Sequence, residues 1–407
     1  MESVMKYVVI LGDGMADYVQ PSLGNKTPLM IANKPSIDGL CAYSECGLCK
    51  TIPDGMKPGS DVANLSVLGY DPKTCYTGRS PLEASNIGVN LKDTDVTARA
   101  NLVTLSDEDN FFDKKMVDYS AGEISTEEAK ILIEYLDKEL CKNGYKLYAG
   151  VSYRHCFVID NGVVSGDLTP PHDITGKPIK GHLPESESGK LYLDLMIKSY
   201  DLLKNHPINL ARIKAGKNPA NSLWFWGEGT KPALEKFEKK TGLKGAMISA
   251  VDLLKGIGKL AGMDVLDVVG ATGNYDTNFY GKAKACLDAL EKNDFVYVHM
   301  EAPDECGHHG DAEHKIFSIG EISEKVVKTV AEGLKAKGER FRMLICPDHP
   351  TPVSIMTHCS DPVPYLIYDS GESFDGVKAE SYDEEQAKRT GIFLSSGCDL
   401  MKRLLNK

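Results

Sequence analysis

KYVVILGDGMAD, Lys6 to Asp17, is an apolar, β-rich run that breaks off at Gly-Asp-Gly. Two later segments repeat its form. DFVYVHMEAPDECGHHGD, residues 294–311, runs apolar and then delivers Asp304, His308 and His309. RFRMLICPDHPTP, residues 340–352, does the same and ends at Asp348 and His349. Short continuous apolar runs bounded by Gly and Pro are the pattern of strands buried on both faces. Between them lie stretches of helical character, GKAKACLDALEK (281–292) and KIFSIGEISEKVVKTVAEGLKAKG (315–338). The reading is an α/β core with a mixed or parallel sheet and helices on both faces. In such sheets ligands bind beyond the carboxyl ends of the strands, and all three runs place acids or histidines there.

The middle of the chain differs in texture. ISTEEAKILIEYLDKELCKNG (124–144) carries a capping-box pattern, Ser125 followed by Glu128. Short strand-like pieces, a Pro-, Gly- and His-rich loop and a second long helical stretch, LYLDLMIKSYDLLKNHPIN (191–209), follow. We read residues 76–244 as an α+β insertion that splits a core made of 1–75 and 245–407.

Composition narrows the function. At 407 residues the chain is too long for one small core. Lys and Arg number 47 against 58 Asp and Glu, a net charge of −11, and the cations form no basic stripe, which argues against a nucleic-acid binder. No apolar run reaches the roughly 18 residues of a membrane span. The opening MESVMKYVVILGDG has too short an apolar stretch for a secretory signal and no cleavage site, so a cytoplasmic protein is expected. Eleven cysteines, an odd number, then read as free thiols. Cys46 and Cys49 form a CxxC, but no second pair completes a zinc knuckle, and the stretch reads as a strand running into a turn.

The strand ends suggest metal chemistry. Asp304 and His308 are spaced i, i+4, so one turn aims both at one ion; Asp348 and His349 are adjacent, and His358 follows in the loop after the same strand. With Asp13 these make six carboxylate and imidazole ligands without a thiolate. That donor set suits Mn²⁺, Zn²⁺ or Mg²⁺ and suffices for two ions in a phosphoryl-transfer clamp. Ser60 opens the helical stretch SDVANLSV after Pro58-Gly59. It reads either as a helix N-cap or as a metal-activated nucleophile at a helix N-terminus that welcomes phosphate. Asn64, four residues on, shares its helix face and is expected to donate to a phosphate oxygen.

The motifs GDG, PGSDVANLSVLGYDP, YTGRSPLEA, GATGNYDTNFYGKA, APDECGHHGD and PDH…THCSDPVP occur in order along nearly the whole chain. Together they resemble the cofactor-independent phosphoglycerate mutases of the archaeal type, in the alkaline phosphatase superfamily. The resemblance implies a phosphatase-like core split by a smaller substrate-binding lid domain. It implies two divalent ions and no 2,3-bisphosphoglycerate. Asp13, Ser60, Asp348 and His349 resemble the ligands at the nucleophile, and Asp304, His308 and His358 those of the second ion, with His309 left beside them. Ser60 would take the phosphoryl group of 3-phosphoglycerate and return it to the 2-hydroxyl. Arg79, Arg154, His155 and Lys282 are the candidate substrate contacts, and His172 faces the same way in this reading. The oligomeric state is open.

Two departures touch the substrate side: Ser80 in TGRS where a second glycine is expected, and His309 in GHHG where an acid is usual. Related sequences have been proposed as homoserine kinases. That alternative would use the same metal site, since no GxxxxGK[ST] loop is present. A metal-dependent phosphohydrolase is the other. Trp224 and Trp226 are expected to pack in the insertion's core rather than stack on a base.

Overall fold

The protein is described by a computed structural model that covers residues 5–142 and 144–406. The first four residues of the stretch read against a secretory signal lie outside it. The chain packs as two compact units, Met1–Tyr76 with Leu234–Lys407, and Thr77–Ala233. The second junction falls earlier than the expected residue 245. Phe237 explains the shift: it is fully buried, with its ring 4.7 Å from that of Phe295 in the core sheet.

In chain order the strands are β1 Lys6–Gly12, β2 Glu45–Cys49, β3 Val96–Leu105, β4 Met116–Asp118, β5 Tyr145–Tyr148, β6 Arg154–Ile159, β7 Ser222–Thr230, β8 Gly245–Ile248, β9 Asp264–Leu266, β10 Phe295–Met300, β11 Phe341–Cys346, β12 Val363–Asp369 and β13 Phe393–Leu394. The core unit holds one mixed sheet in the order β13-β2-β12-β11-β1-β10-β8-β9. Its centre, β11-β1-β10-β8-β9, is parallel, and β12 runs antiparallel to both β11 and β2. Val8 to Leu11 are fully buried, as are all of β10, which accounts for the unbroken apolar runs. Register places Gly12 beside Met300 and Leu11 beside Cys346. Asp13 and the residues after Met300 and Cys346 therefore emerge together at one edge.

Helix Phe279–Ala289 and the helical path from Ala312 to Ala336 pack together on β10 and β1. That path, expected as one regular helix, widens to a π-helical stretch at Ile322–Val327. Helix Ser60–Val67 packs on helices Asp252–Leu260 and Cys398–Leu405. Cys46 and Cys49 sit on β2, where residues three apart point to opposite faces: Cys46 joins the cluster around Ile37 and Cys41, while Cys49 Sγ lies 3.6 Å from Ser396 O. The CxxC thus forms no joint site.

The inserted unit is an antiparallel sheet in the order β4-β3-β6-β5, with β7 also on β3, covered by helices Thr126–Leu140 and Gly189–Leu203. The Ser125 side chain accepts from Glu128 N–H as a cap should. The return half of the capping box is not made, because the Glu128 carboxylate pairs with Arg212 instead. Among the described residues no helix is long and apolar enough to cross a membrane.

Candidate metal centre and nucleophile

The turn after β1 sets the centre of the site. Gly14 has φ of +59°, and a Cβ there would lie 2.6 Å from Asp304 Oδ1 and Thr351 Oγ1, so only glycine fits. The turn leaves Asp13 facing Asp348 and His349. The three are buried and can bring one ligand atom each within 4.8 Å of one another. Asp304, His308 and His358 form a second group by the same measure. Rings of His349 and His358, one from each group, have centroids 4.1 Å apart.

Hydrogen bonds decide which nitrogen of each imidazole faces the site. The Thr351 hydroxyl donates to Asp304 Oδ1, so it can only accept from His349 Nδ1, 3.2 Å away. His349 Nε2 is then left as a lone pair, 3.2 Å from Ser60 Oγ. His308 Nδ1 donates to Met356 O at 3.1 Å, which turns its Nε2 inward, 2.9 Å from His358 Nε2. Lys315, buried, holds this framework by donating to Thr351 O at 2.8 Å and to Asp17 Oδ2 at 2.7 Å.

The electrostatics are those of crowded carboxylates. Burial, then the charges of Asp348, Asp304 and Glu301, hold the Asp13 carboxyl well above the usual range. Burial would also raise Asp304, but hydrogen bonds from His308 and His358 outweigh it and hold that carboxyl well below. Against its own burial, His308 is pushed up to about 9 by Asp304. Asp348 is satisfied by Gly14 N–H at 3.1 Å and His349 N–H at 2.9 Å on Oδ1, and by Asn64 Nδ2 at 2.9 Å on Oδ2. Asp13 Oδ1, by contrast, is buried and receives no hydrogen bond from any described residue. A buried carboxylate oxygen without a donor, beside a lone-pair nitrogen, fits a divalent cation. Oxygen and imidazole donors without thiolate fit Mn²⁺, Zn²⁺ or Mg²⁺.

Four expectations need correction. Ser60 is not an N-cap: it is the first residue inside helix Ser60–Val67, Gly59 occupies the cap position, and no side chain caps that end. Asn64 does not present its amide to a substrate phosphate. Both amide hydrogens are engaged, by Ser60 O at 2.8 Å and by Asp348 Oδ2, while its Oδ1 accepts from Tyr297 OH at 2.6 Å. Lys282 is fully buried, donates to His299 O at 3.0 Å, and is pushed down to about 8 by burial. His155 is a core residue: it lies opposite Ala100 in the sheet, accepts from Gly150 N–H on Nδ1 at 3.1 Å, and is pushed down to about 3 by burial. Adjacent residues of a strand point to opposite faces, so His155 and the exposed Arg154 part company.

Arg154 instead shares a face with Arg99, which the sequence reading missed. Glu83 accepts from Arg79 Nε at 2.9 Å and lies 3.0 Å from Arg99 Nε. Burial would raise Glu83, yet Arg99 and Arg79, with Arg154 behind them, hold it below the usual range. Arg99 also lies over the Trp226 ring, 4.4 Å from its centroid, and His172 stands edge-on to that ring. Trp224 and Trp226 are packed in the core of the unit. His309 is exposed. Missed in the core unit were His299, Tyr297 and Thr351. A signal existed for the first two: polar groups two apart in an otherwise apolar strand share one face.

The profile of the family described as 2,3-bisphosphoglycerate-independent phosphoglycerate mutase matches residues 42–209. The chain is 49% identical over 398 residues to the 2,3-bisphosphoglycerate-independent phosphoglycerate mutase of Methanosarcina barkeri, covering 98% of both chains. It is 47% identical to a probable enzyme of the same name from Geobacter sulfurreducens, covering 99% of this chain and 100% of that protein. Among solved structures it is similar to the PH0037 protein of Pyrococcus horikoshii, with a TM-score of 0.82, 30% identity, and 99% and 98% of the two chains covered. The cofactor-independent phosphoglycerate mutase of Thermoplasma acidophilum matches with a TM-score of 0.61, 26% identity, and coverage of 98% and 99%.

Proposed function

Because the chain belongs to the 2,3-bisphosphoglycerate-independent phosphoglycerate mutases, we propose that it interconverts 3-phosphoglycerate and 2-phosphoglycerate, with Ser60 carrying the phosphoryl group between the two hydroxyls. The observation that carries the reading is the placement of Ser60. Its Oγ is free of any capping duty, lies 3.2 Å from a lone-pair nitrogen of His349, and opens a helix whose N-terminal dipole favours an anion. Ser60 Oγ attacks phosphorus as the bond to the 3-oxygen of glycerate breaks, and the serine proton ends on that oxygen. In the second half the 2-hydroxyl attacks the phosphoserine, and the proton it loses returns to Ser60.

Two divalent cations of the Mn²⁺, Zn²⁺ or Mg²⁺ kind, held by Asp13, Ser60, Asp348 and His349 and by Asp304, His308 and His358, would neutralise charge on the transferring phosphoryl group and ease deprotonation of the serine. No 2,3-bisphosphoglycerate enters this scheme. The inserted unit is assigned substrate binding. Around Glu83 it gathers Arg79, Arg99 and Arg154, and guanidinium groups are suited to the carboxylate or phosphate of the substrate. All eleven cysteines are free, which fits a reducing, cytoplasmic setting.

Phosphorus NMR of the protein with Mn²⁺ and 3-phosphoglycerate tests the reading. A growing 2-phosphoglycerate signal without nucleotide supports it. Inorganic phosphate as the sole product would replace it with a phosphohydrolase, and O-phosphohomoserine formed only from ATP and L-homoserine would replace it with a kinase.

A further inference from the structure

His299 is fully buried on β10, and it is wired the opposite way to the imidazoles of the site. Ser249, just past β8, accepts from Val251 N–H at 3.0 Å, which leaves its hydroxyl hydrogen for His299 Nδ1 at 3.2 Å. The Asp13 carboxylate faces Nε2 as an acceptor, so the His299 proton sits on Nε2 and Nδ1 takes the Ser249 hydroxyl hydrogen. That Nε2–H donates to Asp13 Oδ2 at 2.8 Å. The carbonyl of the same residue accepts from the buried Lys282 ammonium, which fastens the backbone as well as the ring. Asp13 Oδ2 is thereby held in place, and Asp13 Oδ1 is the oxygen that receives no hydrogen bond from any described residue.

We infer that His299 is the positioning residue of Asp13: with its tautomer locked by Ser249, it pins one carboxylate oxygen and so aims the other at the cation site beside Ser60. His299 is not a ligand in this arrangement, because its only site-facing nitrogen carries a proton. His349 has the converse wiring, with its Nδ1 donating and its Nε2 left bare. The same strand repeats the device one step away. Tyr297 shares a face with His299, and its hydroxyl orients Asn64, which holds Asp348. β10 thus supplies the supports for both carboxylates nearest the serine.

The inference rests on the reading of Asp13 as a ligand, and the test separates the two. Mn²⁺ binding is titrated by calorimetry on the wild type and on His299→Ala, His299→Gln, Ser249→Ala and Asp13→Ala, with ¹⁵N NMR of His299 in the wild type and in Ser249→Ala, both metal-free. We expect Asp13→Ala to lose one ion. His299→Ala should bind that ion about 10- to 100-fold more weakly and the other unchanged, and His299→Gln should recover most of the loss by supplying an N–H. The wild-type spectrum should place the proton on Nε2, and Ser249→Ala should show a mixture of tautomers with weaker binding of the same ion. If Asp13→Ala keeps both ions, the ligand reading fails. If Asp13→Ala loses one ion but His299→Ala keeps wild-type affinity, or if the wild-type proton sits on Nδ1, the positioning role is overturned. Should His299→Ala not fold, the Ser249→Ala spectrum and titration decide on their own.

Discussion

Ser60 Oγ and His349 Nε2 stand 3.2 Å apart although 289 residues separate them in the chain. Helix Ser60–Val67 is tied to the segment after β11 by Asn64, which donates to Asp348 Oδ2 at 2.9 Å, and this sets Ser60 beside His349. The Ser60 side chain caps nothing, so removing it should cost the fold little. Ser60→Ala should abolish mutase turnover and any phosphoserine detected by mass spectrometry, while chemical denaturation shifts stability by no more than about 0.5 kcal/mol. A loss near the roughly 1 kcal/mol of a broken cap would restore the capping role.

Asn64 acts through Asp348. Asn64→Ala removes one donor from the carboxylate and leaves the buried Tyr297 hydroxyl without its acceptor, so destabilisation of about 1–3 kcal/mol is expected together with weaker Mn²⁺ binding. Tyr297→Phe should do less on both counts, because Asn64 still reaches Asp348. Urea denaturation and calorimetry of the two variants check the order; the reverse order would show that Tyr297 acts by another route.

The metal groups should be felt in stability. Chelation is expected to lower the melting temperature, and Mn²⁺ restored at about 100 times its dissociation constant should return about 2.7 kcal/mol per site. Asp304→Asn, which removes a carboxylate from the group with His308 and His358, should keep part of that response. Differential scanning calorimetry with and without chelator reads both, and an unchanged melting curve for the chelated wild type would count against bound metal.

Glu384 carries a pH dependence of folding away from the site. Its oxygens accept from Asp17 N–H at 3.0 Å and from Thr27 Oγ1 at 2.7 Å, and Lys315 and Asp383 lie in its surroundings. Burial pushes its carboxyl up to about 7. A carboxyl raised on folding stabilises the folded state fully below its unfolded value of 4.5, and that contribution is lost as pH rises through about 7. Relative to Glu384→Gln, the wild type should therefore lose about 2–3 kcal/mol between pH 5 and pH 8. Parallel stability curves for the two proteins would show that Glu384 does not titrate in this range.

In the inserted unit the arginines should divide their roles. Arg99 is 5% exposed and neutralises buried Glu83, so Arg99→Met should destabilise by about 3 kcal/mol. Arg154 is exposed; Arg154→Ala should leave the fold intact and raise KM for phosphoglycerate about tenfold or more, with little change in kcat. An unchanged KM would remove Arg154 from the substrate site.

The sequence by itself determined the parallel core, the interruption by a second unit, the gathering of Asp13, Asp304, His308, Asp348, His349 and His358 at one sheet edge, and the family. Apolar runs and their terminal acids are local patterns, and a parallel sheet brings like ends together whatever lies between. Only the tertiary structure decided what each polar group does there. Whether an imidazole offers a lone pair or a proton depends on the partner of its other nitrogen, and those partners, Thr351, Met356 and Ser249, come from different segments. The same holds for Asn64, whose amide is consumed by a carboxylate 284 residues away, and for Lys282, whose burial under His299 no local pattern records. The split between Arg154 and His155 follows from strand alternation alone, once the sheet shows which face is core. Hydrophobic burial is written in short-range periodicity; hydrogen-bond partners inside a low-dielectric site are chosen over long range, and they set the chemistry.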